Sequence, residues 1–379
     1  MSQIHPYTID IAQDALDDLQ ARLERTRWTD DSPGEPARYG VDLDEVRRLV
    51  EYWTTGYDWR AWERRLNEYP QYLTEIDGER VHFLHVRSPE PDAFPLILTH
   101  GWPGSVVEFL DVIGPLTNPR AHGGNPADAY HLVIPSMPGF GFSGPTNGEG
   151  CGTARVARAW AELMRRLGYQ RYGAHGNDAG SMISPELGRI DSQRVAGVHV
   201  TQLFSFPSGD PAEFADMTTE DMAAMQRLQW FYEKKFSFNQ LHSQQPQTLA
   251  HALADSPAGL LAWNGQLFLG DAMGAKPLDD DFILTNVAIY WLTNTAGSAI
   301  RFYFEDAVAE RTQTGPTTVP TGLASFEGDF QSIRRFAERD HGNLVQWHTY
   351  REPGGHYAAH MEPELMTADI QGFFRSLRA

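Results

Sequence analysis

The sequence YGAHGNDAGS, residues 172–181, contains a five-residue pattern in which small residues flank an acid, Gly176-Asn177-Asp178-Ala179-Gly180. An amphipathic segment precedes this pattern, and a helix-compatible segment at 181–189 follows it. This is the layout of a nucleophile elbow, a tight strand-to-helix turn that needs small residues on both sides of the nucleophile. On the pattern alone, a glycine-rich loop with a solvated aspartate is the better interpretation. The rest of the sequence favours the nucleophile elbow over the solvated loop.

Strands and helices alternate on both sides of this pattern from about residue 95 onwards. The predicted strands are short and apolar, and they lie at 95–99, 130–135, 195–200, 319–325 and 344–350. Alternation of this kind predicts an α/β fold with a mostly parallel, doubly wound sheet whose faces are covered by helices.

Two segments lie outside the alternation. Residues 1–75 are predicted to form a helical extension packed on the core, because apolar residues such as Leu19 and Leu23 recur there at helical spacing. Residues 203–282 are predicted to form short helices rich in aromatic residues and Met, as in a cap inserted over a sheet. The α/β core then comprises residues 76–202 and 283–379.

Composition limits the partners of the protein. The formal net charge is −19, from 31 basic and 50 acidic residues. A surface this acidic repels phosphate backbones and anionic lipids, so neither nucleic acid nor a membrane is an expected partner. Cys151 is the only cysteine, and the N-terminus carries no apolar signal segment, which predicts a cytoplasmic protein without disulfides. This charge favours a neutral small molecule as the substrate.

Residues that carry chemistry follow several of the predicted strands. In an open parallel sheet the ligand site lies beyond the carboxyl ends of the strands. Asp178, Asp329 and His356 occur in the order nucleophile, acid, histidine, which is the chain order of α/β-hydrolase triads. His356 follows Asp329 by 27 residues (356 − 329), enough for a crossover helix and one strand. Consecutive strand ends would therefore bring the two together, although Glu327 is a rival for the acid.

Further motifs resemble, in the same order, those of the microsomal-type epoxide hydrolases, α/β-hydrolases that carry a helical N-terminal extension. Besides the elbow they comprise Tyr7-Thr8-Ile9, Leu23-Glu24-Arg25-Thr26-Arg27-Trp28, His100-Gly101-Trp102-Pro103-Gly104-Ser105, Pro138-Gly139-Phe140-Gly141-Phe142-Ser143, Pro246-Gln247-Thr248, Asp255-Ser256-Pro257, Arg301-Phe302-Tyr303 and Gly354-Gly355-His356-Tyr357-Ala358-Ala359. Each motif alone has low specificity, but their order over nearly the whole chain is specific.

The resemblance implies an enzyme without cofactor or metal that hydrolyses an epoxide to a vicinal diol. Asp178 would attack the epoxide carbon, because a carboxylate is ionised at neutral pH and needs no base to attack an sp³ carbon. His356, oriented by Asp329, would activate the water that opens the resulting ester. The backbone N–H groups of Trp102 and Ala179 match the oxyanion motif.

The epoxide oxygen also needs an acid as the ring opens, and members of this family usually supply two tyrosine hydroxyls from the cap side. Tyr303 matches one of them, whereas the second position falls on Phe238, which has no donor. Either one tyrosine suffices, or a neighbour (Asn239, Gln240 or Tyr232) replaces the second, or the substrate is unusual.

Two other functions remain as alternatives. Haloalkane dehalogenases share the aspartate nucleophile but usually carry a Trp directly after it, where this chain has Ala179. A non-catalytic ligand-binding protein on the same fold is the other, since fold alone does not fix function. The aromatic cap favours a bulky, apolar epoxide in a pocket that includes Trp102, Phe238 and Asn239, although packing of the cap's own core predicts the same composition. The sequence does not determine the oligomeric state, and a homodimer is one state that it allows.

Overall fold

The computed structural model describes residues 3–35, 38–269, 276–309 and 315–378. Within these ranges a single sheet contains nine strands: β1 (His5–Tyr7), β2 (Gln71–Ile76), β3 (Glu79–Val86), β4 (Phe94–Thr99), β5 (Tyr130–Pro135), β6 (Tyr172–Gly176), β7 (Val195–Val200), β8 (Thr321–Phe326) and β9 (Leu344–Tyr350). The strands predicted at 130–135, 195–200 and 344–350 are confirmed with the same bounds.

The strands are hydrogen-bonded in the order β1-β2-β3-β5-β4-β6-β7-β8-β9. Pairing is antiparallel from β1 to β5 and parallel from β5 to β9. The chain moves outward from β4 to β5 and then returns to β6 on the other side of β4. At such a switch point the loops diverge and leave a crevice for a ligand. The predicted mostly parallel, doubly wound sheet is confirmed.

Helices cover both faces of this sheet. Those in the described ranges are α1 (Gln13–Glu24), α2 (Leu43–Thr55), α3 (Trp59–Asn67), α4 (Leu110–Thr117), α5 (Thr153–Arg166), α6 (Gly180–Ile190), α7 (Thr219–Lys234), α8 (Ser237–Gln244), α9 (Pro246–Asp255), α10 (Pro257–Phe268), α11 (Asp280–Leu292), α12 (Ala296–Val308), α13 (Arg334–Asp340), α14 (Ala358–Met361) and α15 (Pro363–Arg375). Helices α4 and α15 pack together on one face, and α5 and α6 pack together on the other. The sheet between them is apolar and buried, as expected for parallel strands covered on both faces.

The N-terminal extension is part of the same core rather than a separate unit. Trp53, Trp59 and Trp62 are buried in the apolar core that also contains the sheet. The Asn67 side chain holds the start of the chain in place, since it accepts a hydrogen bond from the Ile9 N–H at 2.9 Å and donates one to the Ile9 carbonyl at 2.8 Å. The extension also supplies β1, a strand that the sequence did not predict because three residues carry no measurable period.

Helices α7 to α10 lie within residues 203–282, where the sequence predicts a cap. Helix α12 packs against α8 and α9, although its residues were assigned to the core, and α11 packs on α2 and α3. The hydrophobic period of a helix does not show which neighbour it packs against, so the sequence could not place α12. We call α8, α9, α10 and α12 the lid. No helix among the described residues is long and apolar enough to cross a membrane.

Candidate active site

Asp178 lies in the tight turn between β6 and α6. Its φ is +53°, a left-handed backbone conformation that is unfavourable for a residue with a side chain and is typical of functional sites. The turn is so tight that a Cβ at Gly176 would lie 1.9 Å from the carbonyl oxygen of Gly180. The pattern of small residues around the acid is therefore a steric requirement of the elbow. A solvated loop does not explain this packing.

Two backbone N–H groups hold the Asp178 carboxylate. The N–H of Trp102, in the loop after β4, donates to Asp178 Oδ1 at 3.0 Å, and the N–H of Ala179 also hydrogen-bonds to the carboxylate. The loop approaches closely because Gly101 has no side chain, since a Cβ there would lie 2.0 Å from Asp178 Oδ1. Both N–H groups that the oxyanion motif indicated therefore point at the Asp178 carboxylate.

His356 connects the Asp178 carboxylate with a second acid. Its Nε2 lies 3.6 Å from Asp178 Oδ2, and its Nδ1 lies 2.9 Å from Asp329 Oδ1. Asp329 follows β8 and His356 follows β9, so consecutive strand ends bring them together. Glu327, the rival acid, is exposed, and the carboxylate in contact with His356 is that of Asp329.

Gln202 links Asp178 to Asp329, and no sequence motif indicated it. Its side-chain oxygen accepts the backbone N–H of Asp178 at 2.9 Å and the hydroxyl of Ser181 at 2.8 Å. Its amide nitrogen donates to Asp329 Oδ2, the carboxylate oxygen that His356 does not contact. Gln202 is fully buried and stands just beyond the end of β7. That position at the carboxyl edge of the sheet was the signal that could have identified it.

The charges of the site are coupled. Burial on its own lowers the pKa of His356, but the negative charges of Asp329 and Asp178 outweigh it and raise this pKa to about 9. Burial raises the pKa of Asp178, while His356 and the two backbone N–H groups act to lower it. The raised pKa of His356 therefore favours an imidazolium at neutral pH, in contact with the carboxyl groups of Asp178 and Asp329.

Glu108 is a further acid near this centre that the sequence did not indicate. It is 1% exposed, and burial raises its pKa well above the usual range, against the opposing effects of His356 and of the Asn177 side chain. Asn177 Nδ2 donates to Glu108 Oε1 at 3.4 Å and to the His356 carbonyl at 3.0 Å. The charge of Glu108, like those of Asp329 and Asp178, acts to raise the pKa of His356.

The lid forms the opposite wall of the site. Burial raises the pKa of Tyr303, on α12, well above its usual value, and the charge of Asp178 raises it further. Its hydroxyl makes no hydrogen bond within the described residues and stays protonated. Phe238, on α8, stacks on Trp102 with ring centres 5.4 Å apart and lies 6.1 Å from the Tyr303 ring. The structure thus places Phe238 on this wall, where it offers no donor.

The suggested replacements for a second tyrosine lie elsewhere. Tyr232 is 57% exposed and Gln240 is also exposed, so neither side chain faces a buried site. Asn239 is half-buried, and its side-chain oxygen accepts a hydrogen bond from Ser243 at 3.3 Å, within α8. The expectation that Asn239 lines the pocket gains no support from its contacts. In the described ranges no three His, Cys, Asp or Glu side chains are arranged to hold a metal ion.

An acidic nucleophile elbow at the switch point of a doubly wound sheet, with an acid and a histidine on later strand ends, defines an α/β-hydrolase. The family comparisons agree with this class. Residues 95–258 match the family "alpha/beta hydrolase fold", and residues 4–109 match the family "Epoxide hydrolase N terminus".

The chain belongs to the epoxide hydrolase family. It is 42% identical to a "Putative epoxide hydrolase" from Stigmatella aurantiaca (strain DW4/3-1), over 99% of this chain and 86% of the relative. It is 30% identical to "Epoxide hydrolase 1" from Sus scrofa, over 98% of this chain and 88% of the relative. The structure of an Aspergillus niger epoxide hydrolase, 30% identical, superposes with a TM-score of 0.88 over 99% of this chain and 97% of that one. The predicted family and enzyme class are confirmed.

Proposed function

We propose that this enzyme hydrolyses an epoxide to a vicinal diol through a covalent ester on Asp178. In this proposal Tyr303 protonates the epoxide oxygen, and His356 with Asp329 opens the ester. The observation that supports it most directly is the placement of the Asp178 carboxylate, which accepts the Trp102 N–H at 3.0 Å and lies 3.6 Å from His356 Nε2.

In the first step, a carboxylate oxygen of Asp178 attacks one epoxide carbon while the bond from that carbon to the epoxide oxygen breaks. The electron pair of the broken bond passes to the oxygen, which takes the proton of the Tyr303 hydroxyl. The products are an ester on Asp178, a free hydroxyl on the substrate and a tyrosinate. Because burial raises the pKa of Tyr303, this proton moves only to an oxygen as basic as the one that ring opening creates.

The protonation state of His356 changes between the two steps. Before the attack, its cation is stabilised by Asp178 and Asp329, which raise its pKa to about 9 against the effect of burial. The ester on Asp178 carries no charge, so alkylation removes one of the two carboxylates and lowers the pKa of His356. The imidazolium then releases a proton, Tyr303 regains one, and His356 is left neutral. The first reaction thereby creates the base that the second one needs.

In the second step, neutral His356 takes a proton from water, and the hydroxide attacks the carbonyl carbon of the Asp178 ester. The N–H groups of Trp102 and Ala179 stabilise the oxyanion, since they already point at this carboxyl group. The ester C–O bond then breaks, and the departing alkoxide takes the proton of the new carboxylic acid. The diol leaves, and Asp178 is again a carboxylate beside a protonated His356.

The lid wall supports a bulky, apolar epoxide as the substrate. Trp102, Phe238 and Tyr303 contact one another through their rings and present aromatic surface opposite the nucleophile. An anionic substrate would meet both the net charge of −19 and the charge of Asp178 itself. Neutral aryl or long-chain epoxides match this wall best.

The test uses His356→Gln, which keeps the nucleophile but lacks the base. Incubation with a panel of epoxides, from styrene oxide to larger aryl and alkyl epoxides, should leave the variant with the added mass of one epoxide. Peptide mass spectrometry should place this mass on Asp178, because the ester forms but is not hydrolysed.

The control is the double variant His356→Gln with Asp178→Ala, which should remain unmodified with every epoxide. If the folded His356→Gln protein also stays unmodified with all of them, or carries the mass on another residue, the covalent mechanism on Asp178 is wrong.

A further inference from the structure

The wall opposite Asp178 carries a second polar residue, one helical turn beyond Phe238. Residues four apart lie on the same face of a helix, so His242 shares the face of α8 that Phe238 turns to the site. His242 is fully buried. Its ring centre lies 4.7 Å from that of Trp102 and 4.9 Å from that of Tyr303, closer to both than the ring of Phe238 is.

A hydrogen bond from a neighbouring helix of the lid fixes the tautomer of His242. The indole Nε1–H of Trp263, on α10, donates to His242 Nε2 at 2.9 Å. An indole N–H is a donor only, so Nε2 must accept through its lone pair, and the proton of the neutral ring resides on Nδ1. Burial lowers the pKa of His242 to about 3, so the ring stays neutral and keeps this N–H throughout the physiological range.

The Nδ1–H of His242 has no acceptor. It is buried and makes no hydrogen bond with any described residue. Leaving a buried donor unpaired costs about 1–3 kcal/mol, so an unpaired donor in the wall of an active site requires an explanation. An acceptor that enters between Asp178 and Tyr303 would supply the missing partner. In the reaction proposed above, that acceptor is the epoxide oxygen.

We propose that the Nδ1–H of His242 is the second hydrogen-bond donor to the epoxide oxygen, in place of the tyrosine hydroxyl that is absent at Phe238. During ring opening, Tyr303 transfers its proton to the oxygen, and His242 donates a hydrogen bond without losing its own proton. Trp263 acts through His242 as a positioning residue. This inference rests on the proposed function, because the oxygen becomes a strong acceptor only when Asp178 attacks.

The first test is the rate of ester formation in His242→Phe, measured by rapid quenching and intact-protein mass spectrometry with the epoxide that best modifies His356→Gln. Removal of one preorganised donor should slow ester formation by about 100-fold. Hydrolysis of the ester should proceed at the wild-type rate, because the oxygen is by then an ordinary hydroxyl. A matched control is His251→Phe, an exposed histidine of α9 in the lid, which should change neither rate.

The second test asks whether a donor from the same helix face restores the rate. Adding Phe238→Tyr to His242→Phe should recover at least about tenfold in ester formation, since a hydroxyl then reaches the oxygen from the neighbouring turn. His242→Gln, whose amide also donates, should lose less than His242→Phe. A purely structural role for His242 predicts no rescue and an equal slowing of both steps.

Three results would overturn the inference: wild-type ester formation in His242→Phe, equal slowing of both steps, or the absence of rescue by Phe238→Tyr in a folded protein. These outcomes are separable from failure of the proposed function. If His356→Gln accumulates an adduct on Asp178 while His242→Phe forms its ester at the normal rate, only the role of His242 is wrong.

Discussion

On the sheet side of the active site, hydrogen bonds join Asp178, Gln202, Asp329 and His356 into one network, whereas on the lid side aromatic rings surround two donors that have no partner among the described residues. Gln202 alone joins the Asp178 backbone to the Asp329 carboxylate, and Asp329 in turn orients His356. Across the site, neither the hydroxyl of Tyr303 nor the Nδ1–H of His242 meets an acceptor among the described residues.

This difference matches the two steps of the proposed reaction. Groups that must act on charge at a fixed place, the carboxylate and its oxyanion donors, are held by networks that leave them little freedom. Groups that must meet an oxygen brought by the substrate cannot be paired in advance, because a partner would have to be displaced. We therefore expect damage on the lid side to affect ester formation, and damage on the sheet side to affect ester hydrolysis.

The largest effect that tests this division is expected from Tyr303→Phe. Loss of the acid that protonates the epoxide oxygen should slow ester formation by about 1,000-fold, within the usual range for general acids. Ester hydrolysis should change little, since no proton from Tyr303 is used there. Single-turnover kinetics with mass detection of the adduct separates the two rates. Equal slowing of both steps would remove the distinction between the two sides.

A smaller effect, on the other step, is expected from Gln202→Met. The substitution leaves the Asp178 N–H and one Asp329 oxygen without their partner, so His356 is less well oriented, and hydrolysis should slow by about 10- to 100-fold. The same unpaired groups should lower the free energy of unfolding by about 1–3 kcal/mol, measurable by urea denaturation.

Gln202→Glu provides the comparison for this variant. It keeps an acceptor for the Asp178 N–H but places a carboxylate against Asp329, so it should hydrolyse the ester more slowly than Gln202→Met does. If Gln202→Met hydrolyses its ester at the normal rate but forms it slowly, Gln202 acts in ester formation, and this prediction is wrong.

The smallest effect is on pH dependence. Ester hydrolysis needs neutral His356, so its rate should fall about tenfold for each pH unit below the pKa of this residue in the alkylated enzyme. That pKa should lie below the value of about 9 that Asp329 and Asp178 give it, against burial, in the resting enzyme. Ester formation needs ionised Asp178 and protonated Tyr303, and should vary little between pH 7 and 9. Stopped-flow measurement of both steps from about pH 5 to about pH 9 checks the prediction. A rate of ester hydrolysis that does not fall as the pH is lowered would contradict it.

The sequence predicted the sheet side of the site better than the lid side. Asp178, Asp329 and His356 stand at the ends of strands, and parallel strands deliver their carboxyl ends to one edge. Their proximity therefore followed from the order of elements once the strands were recognised. The elbow was recognisable because its sterics leave room only for small residues around the acid.

The lid was less predictable because its geometry depends on packing between helices. Helix α8 is eight residues long, its sequence SFNQLHSQ is mostly polar, and no side chain caps its start, so the sequence did not place a helix at these residues of the cap. Without that helix, the neighbourhood of Phe238 and His242 on one face could not be inferred. Asn239, Gln240 and Tyr232 were suggested as replacements for the second tyrosine. Tyr232 and Gln240 are exposed, and Asn239 bonds within α8.

By itself, the sequence determined the family, the sheet, the elbow and two residues of the proposed triad, Asp178 and His356, because these depend on local sterics and on the order of strands. Only the tertiary structure selected Asp329 over Glu327, connected Gln202 to both acids and placed His242 beside Tyr303 with its Nδ1–H unpaired. The physical reason is that a hydrogen bond, made or missing, depends on atoms from several elements, and their relative positions are fixed only when those elements pack.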